Sequence, residues 1–249
     1  MTVQVPYSLS TDHTSTLGLL VLQVDETIEQ DFRRLLDPRS VKLHVSRLPS
    51  GAELTPNTIA GMEAELAPAA ALLPPAAQFD AIAYACTSGT TLIGASRVHT
   101  LIAQAARTYA VTDPLTAALT ATRALGLKRI GIVSPYVATV AGPIRRAFEA
   151  AGLEVPQTLS FGEEVEARVA RIDPASIADA ARALVRQAAL DGIFLSCTNL
   201  RTLDIIPALE GELGLPVLSS NQVLCWHMAR LAGIAAVQDA PGRIFAVSP

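Results

Sequence analysis

Four short apolar segments in the first half of the chain recur, in the same order, in the second half, and this duplication constrains the fold more than any other feature. LGLLVLQVDET, from Leu17, parallels IGIVSPYVATV, from Ile130. VKLHVSRLP, from Val41, parallels LEVPQTLSF, from Leu153, and YAVTDPLTAAL, from Tyr109, parallels LPVLSSNQVLC, from Leu215. The remaining pair is DAIAYACTSGTT, from Asp80, and DGIFLSCTNLRT, from Asp191. In each an aspartate stands six positions before a cysteine, Cys86 in one and Cys197 in the other. The offsets all lie at about 106–113 residues, the period of two repeated units.

Around these runs lie longer stretches rich in alanine and leucine with helical period, the βα alternation of a parallel sheet. Strands are expected near residues 17–23, 41–48, 81–85, 109–111, 129–134, 153–160, 193–196 and 216–218. Pro56, Pro114, Pro143 and Pro174 fall near expected helix starts, where a missing amide donor does little harm. The expected class is α/β, with two pseudo-symmetric Rossmann-like lobes facing each other across a cleft that holds the active site. Residues 1–112 with a C-terminal segment of about 219–249 form the first lobe, and 113–218 the second.

Composition removes several classes of function. With 249 residues, 50% hydrophobic and 17% charged, the chain has enough apolar material for a sizeable core. A net charge of −4 and the lack of a basic cluster interleaved with aromatics argue against a nucleic-acid partner. The most apolar long stretch, residues 66–86, is broken by Pro68, Pro74, Pro75 and Asp80, which argues against a membrane span. The opening MTVQVPYSLSTDHTST lacks the pattern of a secretory signal, so a cytoplasmic location is expected. Three cysteines there are free thiols rather than a disulfide framework.

In parallel α/β sheets ligands bind beyond the carboxyl ends of strands, and Cys86 and Cys197 each hold that position. The segments after them, TSGT and TNL, are expected to open helices whose hydroxyls and amides bind a carboxylate and lower the thiol pKa toward neutrality. A strand-end cysteine is often only a small core residue. The matched pair favours chemistry. Cys225, inside a helical pattern beside Trp226, reads as packing. His13, His44, His99 and His227 lack metal-ligand spacing and suit solvated or core roles, and neither GxGxxG nor a phosphate loop occurs. Asp25, Glu26, Glu29 and Asp31 open a helix, where carboxylates are ordinarily solvated; Asp25, directly after a strand, is the one placed to enter the cleft.

The motifs ACTSGTT, SCTNLRTLDIIPALE, SPYVATV and LSSNQVLCWHMARLAG resemble the aspartate/glutamate racemase superfamily, in the branch of maleate isomerase, arylmalonate decarboxylase and the ectoine-utilisation racemase-like proteins. The resemblance implies cofactor-independent chemistry, without metal or pyridoxal phosphate, on a small-molecule carboxylate substrate, and carries the expectation of a homodimer. It implies that Cys86 and Cys197 are the catalytic pair. Tyr136 of the PY motif, Thr87, Ser88, Thr198 and Asn199 would hold the substrate carboxylate. The decarboxylases have glycine at the first cysteine position, so Cys86 counts against decarboxylation. Two positions depart from the maleate isomerase pattern: Asp25 and Glu166 stand where that branch has asparagine. A second substrate carboxylate would be repelled there, so Asp25 and Glu166 are expected to bind a substrate end bearing an ammonium, amidinium or amide N–H, and LQVDETIEQDFRRLL is similar to the ectoine-utilisation branch, whose presumed substrates are amino-acid derivatives. The implied reaction is racemisation or epimerisation by two thiols. Rival readings are cis-trans isomerisation through a covalent cysteine adduct and a non-enzymatic two-lobed ligand-binding protein.

Overall fold

Each half of the chain builds a four-stranded parallel sheet. In the computed structural model, which describes residues 2–9, 14–53 and 55–247, the first sheet contains β1 (Ser15–Leu22), β2 (Val41–Leu48), β3 (Ala81–Ala85) and β4 (Val111–Thr112). The second contains β5 (Ile130–Ser134), β6 (Thr158–Ser160), β7 (Gly192–Leu195) and β8 (Val217–Ser219). The strand orders are β2-β1-β3-β4 and β6-β5-β7-β8, so the four repeated segments occupy corresponding strands. This is the expected α/β class with two pseudo-symmetric parallel sheets. Strands β3, β5 and β7 are buried at every residue, as strands covered on both faces must be. The edge strand β2 exposes Lys42, Val45 and Arg47.

The helices are α1 (Ile28–Leu35), α2 (Pro56–Gly61), α3 (Glu63–Ala71), α4 (Thr87–Ile93), α5 (Ala95–Ala105), α6 (Pro114–Ala124), α7 (Ala138–Ala150), α8 (Glu166–Val169), α9 (Pro174–Gln187), α10 (Ile206–Leu213) and α11 (Ser220–Leu231). None is long and apolar enough to cross a membrane, among the described residues. The final helix, α11, is fixed by a capping box in which Ser219 and Gln222 satisfy each other's backbone amides. It leaves the second sheet to pack on β3, α1 and α6. The C-terminal segment follows it, with the Val237 amide donating to the Leu35 carbonyl at 2.9 Å.

The repeated aspartates have a structural task. Asp80 Oδ2 accepts the Thr16 amide at 2.8 Å, and Asp191 Oδ2 accepts the amides of Lys128 and Arg129 at 3.0 and 2.9 Å. Each carboxylate therefore pins the start of the neighbouring central strand, and the six-residue spacing carries the chain to the opposite end, where the cysteine sits. A second paired feature is glycine. A Cβ on Gly18 would stand 2.9 Å from Ile82 and 3.0 Å from Leu73; one on Gly131 would stand 2.8 Å from Leu190 and 2.9 Å from Leu184. Only a glycine lets apolar side chains approach β1 and β5 so closely.

Three local expectations change. The strand expected over residues 153–160 shrinks to Thr158–Ser160 with an isolated Arg129–Glu154 bridge before it, because Pro156 offers the ladder no amide. The strand expected at 109–111 begins only at Val111. Pro114 and Pro174 do open helices, as does Pro56, but Pro143 lies inside α7, a turn beyond its start. His13 lies outside the described residues.

Candidate active site

Sheets of order 2-1-3-4 reverse their winding beside the first strand, and the crevice opens beyond the carboxyl ends of the first and third strands. Those ends carry Asp25 and Cys86 in the first lobe and Tyr136 and Cys197 in the second. The two lobes meet there. The Thr198 hydroxyl donates to the Ala85 carbonyl at 3.3 Å, and the Glu26 amide donates to Asn199 Oδ1 at 2.9 Å. The segments following the two edge strands also join, through an antiparallel Glu53–Val165 bridge and the Glu166 amide donating to the Ala52 carbonyl at 3.1 Å.

Cys86 is the N-cap of α4. Its Sγ accepts the Gly89 amide at 3.2 Å and lies 3.5 Å from Ser88 Oγ. The Tyr84 hydroxyl, which donates to Met62 Sδ at 3.7 Å, lies near this sulfur and pulls its pKa down. Cys197 has a different local structure. The expected helix after it does not form: the Thr198 carbonyl accepts from Asn221 Nδ2 at 2.8 Å and the Asn199 carbonyl from the Thr27 hydroxyl at 3.0 Å, so these acceptors are drawn to the first lobe and to α11 instead of to helical amides. Cys197 itself adopts φ 142°, the lone positive φ outside glycine among the described residues. Such backbone costs an L-residue roughly 1–3 kcal/mol and is found where function holds it. Its Sγ accepts the Asn199 amide at 3.4 Å, and the Tyr136 phenol beside it pulls its pKa down. Each thiol thus has one backbone amide and one phenol.

Ser220 connects the two cysteine loops. Its hydroxyl accepts the Cys197 amide at 3.0 Å and bonds the Thr87 hydroxyl at 2.8 Å, all three groups being buried. Neither Ser220 nor Tyr84 stood out in the sequence. The signal for Tyr84 was its place two residues before Cys86; Ser220 offered only its position after the last strand.

The expectation of depressed thiol pKa values is overturned. Burial pushes Cys86 up to about 11 against the opposing pull of Ser88, the Gly89 amide and Tyr84, with Glu166 adding repulsion. Cys197 is raised as well, first by burial and then by Glu166, with Asp25 contributing. Desolvation of a thiolate with two carboxylates nearby exceeds what a few donors return. Tyr136 is raised for the same reason, by burial and then by both thiols, so both sulfurs act on one phenol.

The acidic residues divide differently from expectation. Asp25 and Glu166 are 3% and 4% exposed. Asp25 Oδ1 accepts the amides of Thr27 at 2.8 Å and Ile28 at 2.9 Å, capping α1. Glu166 Oε2 accepts from Asn199 Nδ2 at 3.1 Å, and burial, with Asp25 adding to it, lifts its carboxyl to about 7. Glu26 faces solvent in an ion pair with Arg171, and Glu29 is half-buried between Arg33 and Arg47, with both of which it pairs. Asp31, expected in solvent, is buried on the face of α1 that also carries Ile28, Phe32 and Leu35; it pairs with Asn221 Nδ2 at 2.7 Å and burial lifts it to about 7. Asn199 commits its amide to Glu26, Glu166 and the Val24 carbonyl, and so braces the loops around the thiols.

Cys225 is fully buried in α11, in agreement with a packing role. His99 pairs with Asp113, His227 with the Thr112 hydroxyl, and His44 rests edge-on against Phe79. The cavity that touches the site, lined by Ser50, Gly51, Glu53, Ile59, Met62, Ser88 and Glu166 among others, holds about 10 Å³. That is room for about one water. Larger clefts, such as one of about 390 Å³ beside Leu73 and Arg107, touch neither thiol.

A family profile described as arylmalonate decarboxylase matches residues 52–245. The chain belongs to the arylmalonate decarboxylase family. Within this family, the enzyme of Bordetella bronchiseptica named arylmalonate decarboxylase is 36% identical over 132 residues, a match spanning 52% of this chain and 55% of that protein. A maleate isomerase from Geobacillus stearothermophilus is 25% identical over 218 residues, 82% of this chain and 86% of its own length. Among solved structures, a liganded mutant of arylmalonate decarboxylase superposes with a TM-score of 0.80 at 28% identity, over 94% of this chain and 100% of that one. The maleate isomerase of Pseudomonas putida with maleate superposes with a TM-score of 0.84, covering 94% and 98% of the two chains; at 22% identity it shows the shared fold.

Proposed function

We propose that this member of the arylmalonate decarboxylase family is a cofactor-independent isomerase that racemises or epimerises a carbon α to a carboxylate in an amino-acid-derived substrate. The observation that carries this reading is the matched pair of free thiols, one beyond the third strand of each sheet, each with its own phenol and amide. A placement in ectoine utilisation and a homodimeric assembly belong to the same reading and rest on the motif resemblance alone.

In the reaction, one sulfur, as thiolate, takes the α-proton; the electron pair passes into the carboxylate as an enediolate; the thiol on the opposite face then gives its proton to the carbon. The carbon must lie at about 3–3.5 Å from each sulfur in turn. The donors in this reading are the Ser88 hydroxyl, 3.5 Å from Cys86 Sγ, the Tyr136 phenol, and the hydroxyls of Thr87 and Thr198, which would turn from Ser220 and the Ala85 carbonyl to hold the carboxylate and stabilise the developing charge. A thiol raised by burial makes a strong base once ionised, as removal of an unactivated α-proton requires.

The test is solvent exchange. Wild-type protein in deuterium oxide should wash deuterium into the α-position of both enantiomers of a substrate, whereas Cys86→Ser and Cys197→Ser should each lose racemisation while retaining exchange for one enantiomer. Release of carbon dioxide from a malonate without α-exchange would favour decarboxylation. Conversion of a cis-alkene diacid, again without exchange, would favour the covalent isomerase. A maleate cis-trans isomerase of the same fold, from Nocardia farcinica, carries a covalently bound succinylcysteine intermediate, which makes that outcome the sharpest alternative.

A further inference from the structure

Asp25 and Glu166 are buried neighbours whose charges repel, and neither forms an ion pair among the described residues, the nearest guanidinium, Arg47, being bound to the Asp25 backbone carbonyl. Asp25 Oδ2 is buried without a partner at hydrogen-bond geometry, the Thr198 hydroxyl beside the carboxyl donating to the Ala85 carbonyl, while Asp25 Oδ1 is spent on α1. Glu166 shares the small cavity with Ser88 and gives one oxygen to Asn199. The arginines close by are committed elsewhere. Arg47 donates to the carbonyls of Leu22, Gln23 and Asp25 and pairs with Glu29; Arg168 pairs with Glu163, and Arg171 with Glu26. Two buried carboxylates that repel each other, both of them acting on Cys197, and Glu166 also on Cys86, are unfavourable unless a proton or a ligand supplies positive charge.

We propose that Asp25 and Glu166 receive a cationic or N–H-donating end of the substrate, an ammonium, amidinium or amide, opposite the end where the thiol loops hold its carboxylate. The proposal rests on the isomerase reading above and narrows its substrate class away from the dicarboxylates. It also links recognition to chemistry. Glu166 repels charge on both sulfurs and Asp25 on Cys197, so a cation bound between the acids removes part of the field that keeps the thiols neutral, and the correct substrate assists formation of its own base.

Below about pH 7 Glu166 holds a proton, which a bound cation displaces. The charged and titratable groups facing the pair are Asp31 of α1, Arg47 of β2, the thiols of Cys86 and Cys197, the phenol of Tyr136 and, across the small cavity, Glu53. Of the pair, Glu166 is the one raised to about 7, by burial and then, against the Asn199 bond, by Asp25.

Calorimetric titration of the full chain with two matched ligands tests this: α-N-acetylated α,γ-diaminobutyrate and α-N-acetylglutamate, alike up to the γ-carbon and ending in an ammonium and a carboxylate. Titrations run in two buffers of different ionisation enthalpy, between about pH 5 and about pH 8. The ammonium ligand should release about one proton, tighten about tenfold per pH unit up to about pH 7, and then level off. The carboxylate ligand should bind at least about tenfold more weakly at pH 7 and weaken further above it. Asp25→Asn with Glu166→Gln, which keeps the cap on α1 and the bond to Asn199, should abolish proton release and narrow or reverse the preference. An unchanged ratio in that variant, binding without proton release, a wild-type preference for the carboxylate ligand, or binding of neither overturns the proposal. The readout is binding alone, so such a failure would leave the two-thiol reading to the exchange experiment.

Discussion

Replacing Ser220 by alanine removes the hydroxyl that ties the two cysteine loops together. The variant leaves the Cys197 amide, held at 3.0 Å, and the Thr87 hydroxyl, held at 2.8 Å, buried without partners. An unsatisfied buried polar group costs about 1–3 kcal/mol, so the two together should cost about 3 kcal/mol. For a chain of this length, at about 2–4 °C per kcal/mol, the melting temperature should fall by about 6–12 °C. Differential scanning calorimetry on wild type, Ser220→Ala, Thr87→Val and the double variant measures the loss and its coupling. Because the two residues share one bond, the double variant should lose less than the sum of the singles by about 1 kcal/mol. Ser220→Thr, which keeps the hydroxyl, should recover most of the stability. The φ of 142° at Cys197 adds a second expectation: with its amide released the loop relaxes, and the thiol should react faster with alkylating reagents. Strict additivity in the cycle, or a melting temperature within about 2 °C of wild type, would refute the bridging role.

Two further outcomes concern packing and protons. A Cβ on Gly89 would fall inside contact distance of the Tyr84 hydroxyl and 3.0 Å from Cys86 Sγ, with Tyr84 fully buried and unable to leave, so Gly89→Ala should cost about 1–3 kcal/mol in chemical denaturation, and a cost below about 0.5 kcal/mol would show that the phenol yields freely. Glu166 has an ordinary value of 4.5 and a folded value of about 7, so between these pH values the folded chain holds a proton that the unfolded chain has lost. Its contribution is therefore complete below about pH 4.5 and lost as pH rises through about 7, and wild type should lose about 2.5 kcal/mol relative to Glu166→Gln between about pH 5 and about pH 8. Asp31 acts in the same direction and His227, lowered by burial, in the opposite one, which is why the comparison is made against the variant and not across pH alone.

Much of the architecture was legible because it depends on local pattern. Apolar β-branched runs need burial on both faces, helical stretches need a sheet to cover, and a chain that repeats this order at a fixed offset builds two similar sheets. The two cysteines were visible because strand length fixes the distance from the clamp at Asp80 or Asp191 to the crevice, although the clamping role of those aspartates emerged only from their bonds to neighbouring strands. Asp25 was placed at the cleft by its position directly after β1.

The protonation states and the bracing of the site were decided by tertiary structure. A hydroxyl or amide next to a cysteine suggests a lowered pKa, but the sign of the shift depends on how much water is excluded and which charges come near. Here burial and Glu166, eighty residues from Cys86 and thirty-one from Cys197, raise both thiols. The conformation after Cys197 was likewise set by donors remote in sequence, Thr27 and Asn221, which take the carbonyls a helix would use. Local sequence determines which residues reach the crevice; their charge and orientation depend on desolvation and on bonds that form only when the two lobes close around them.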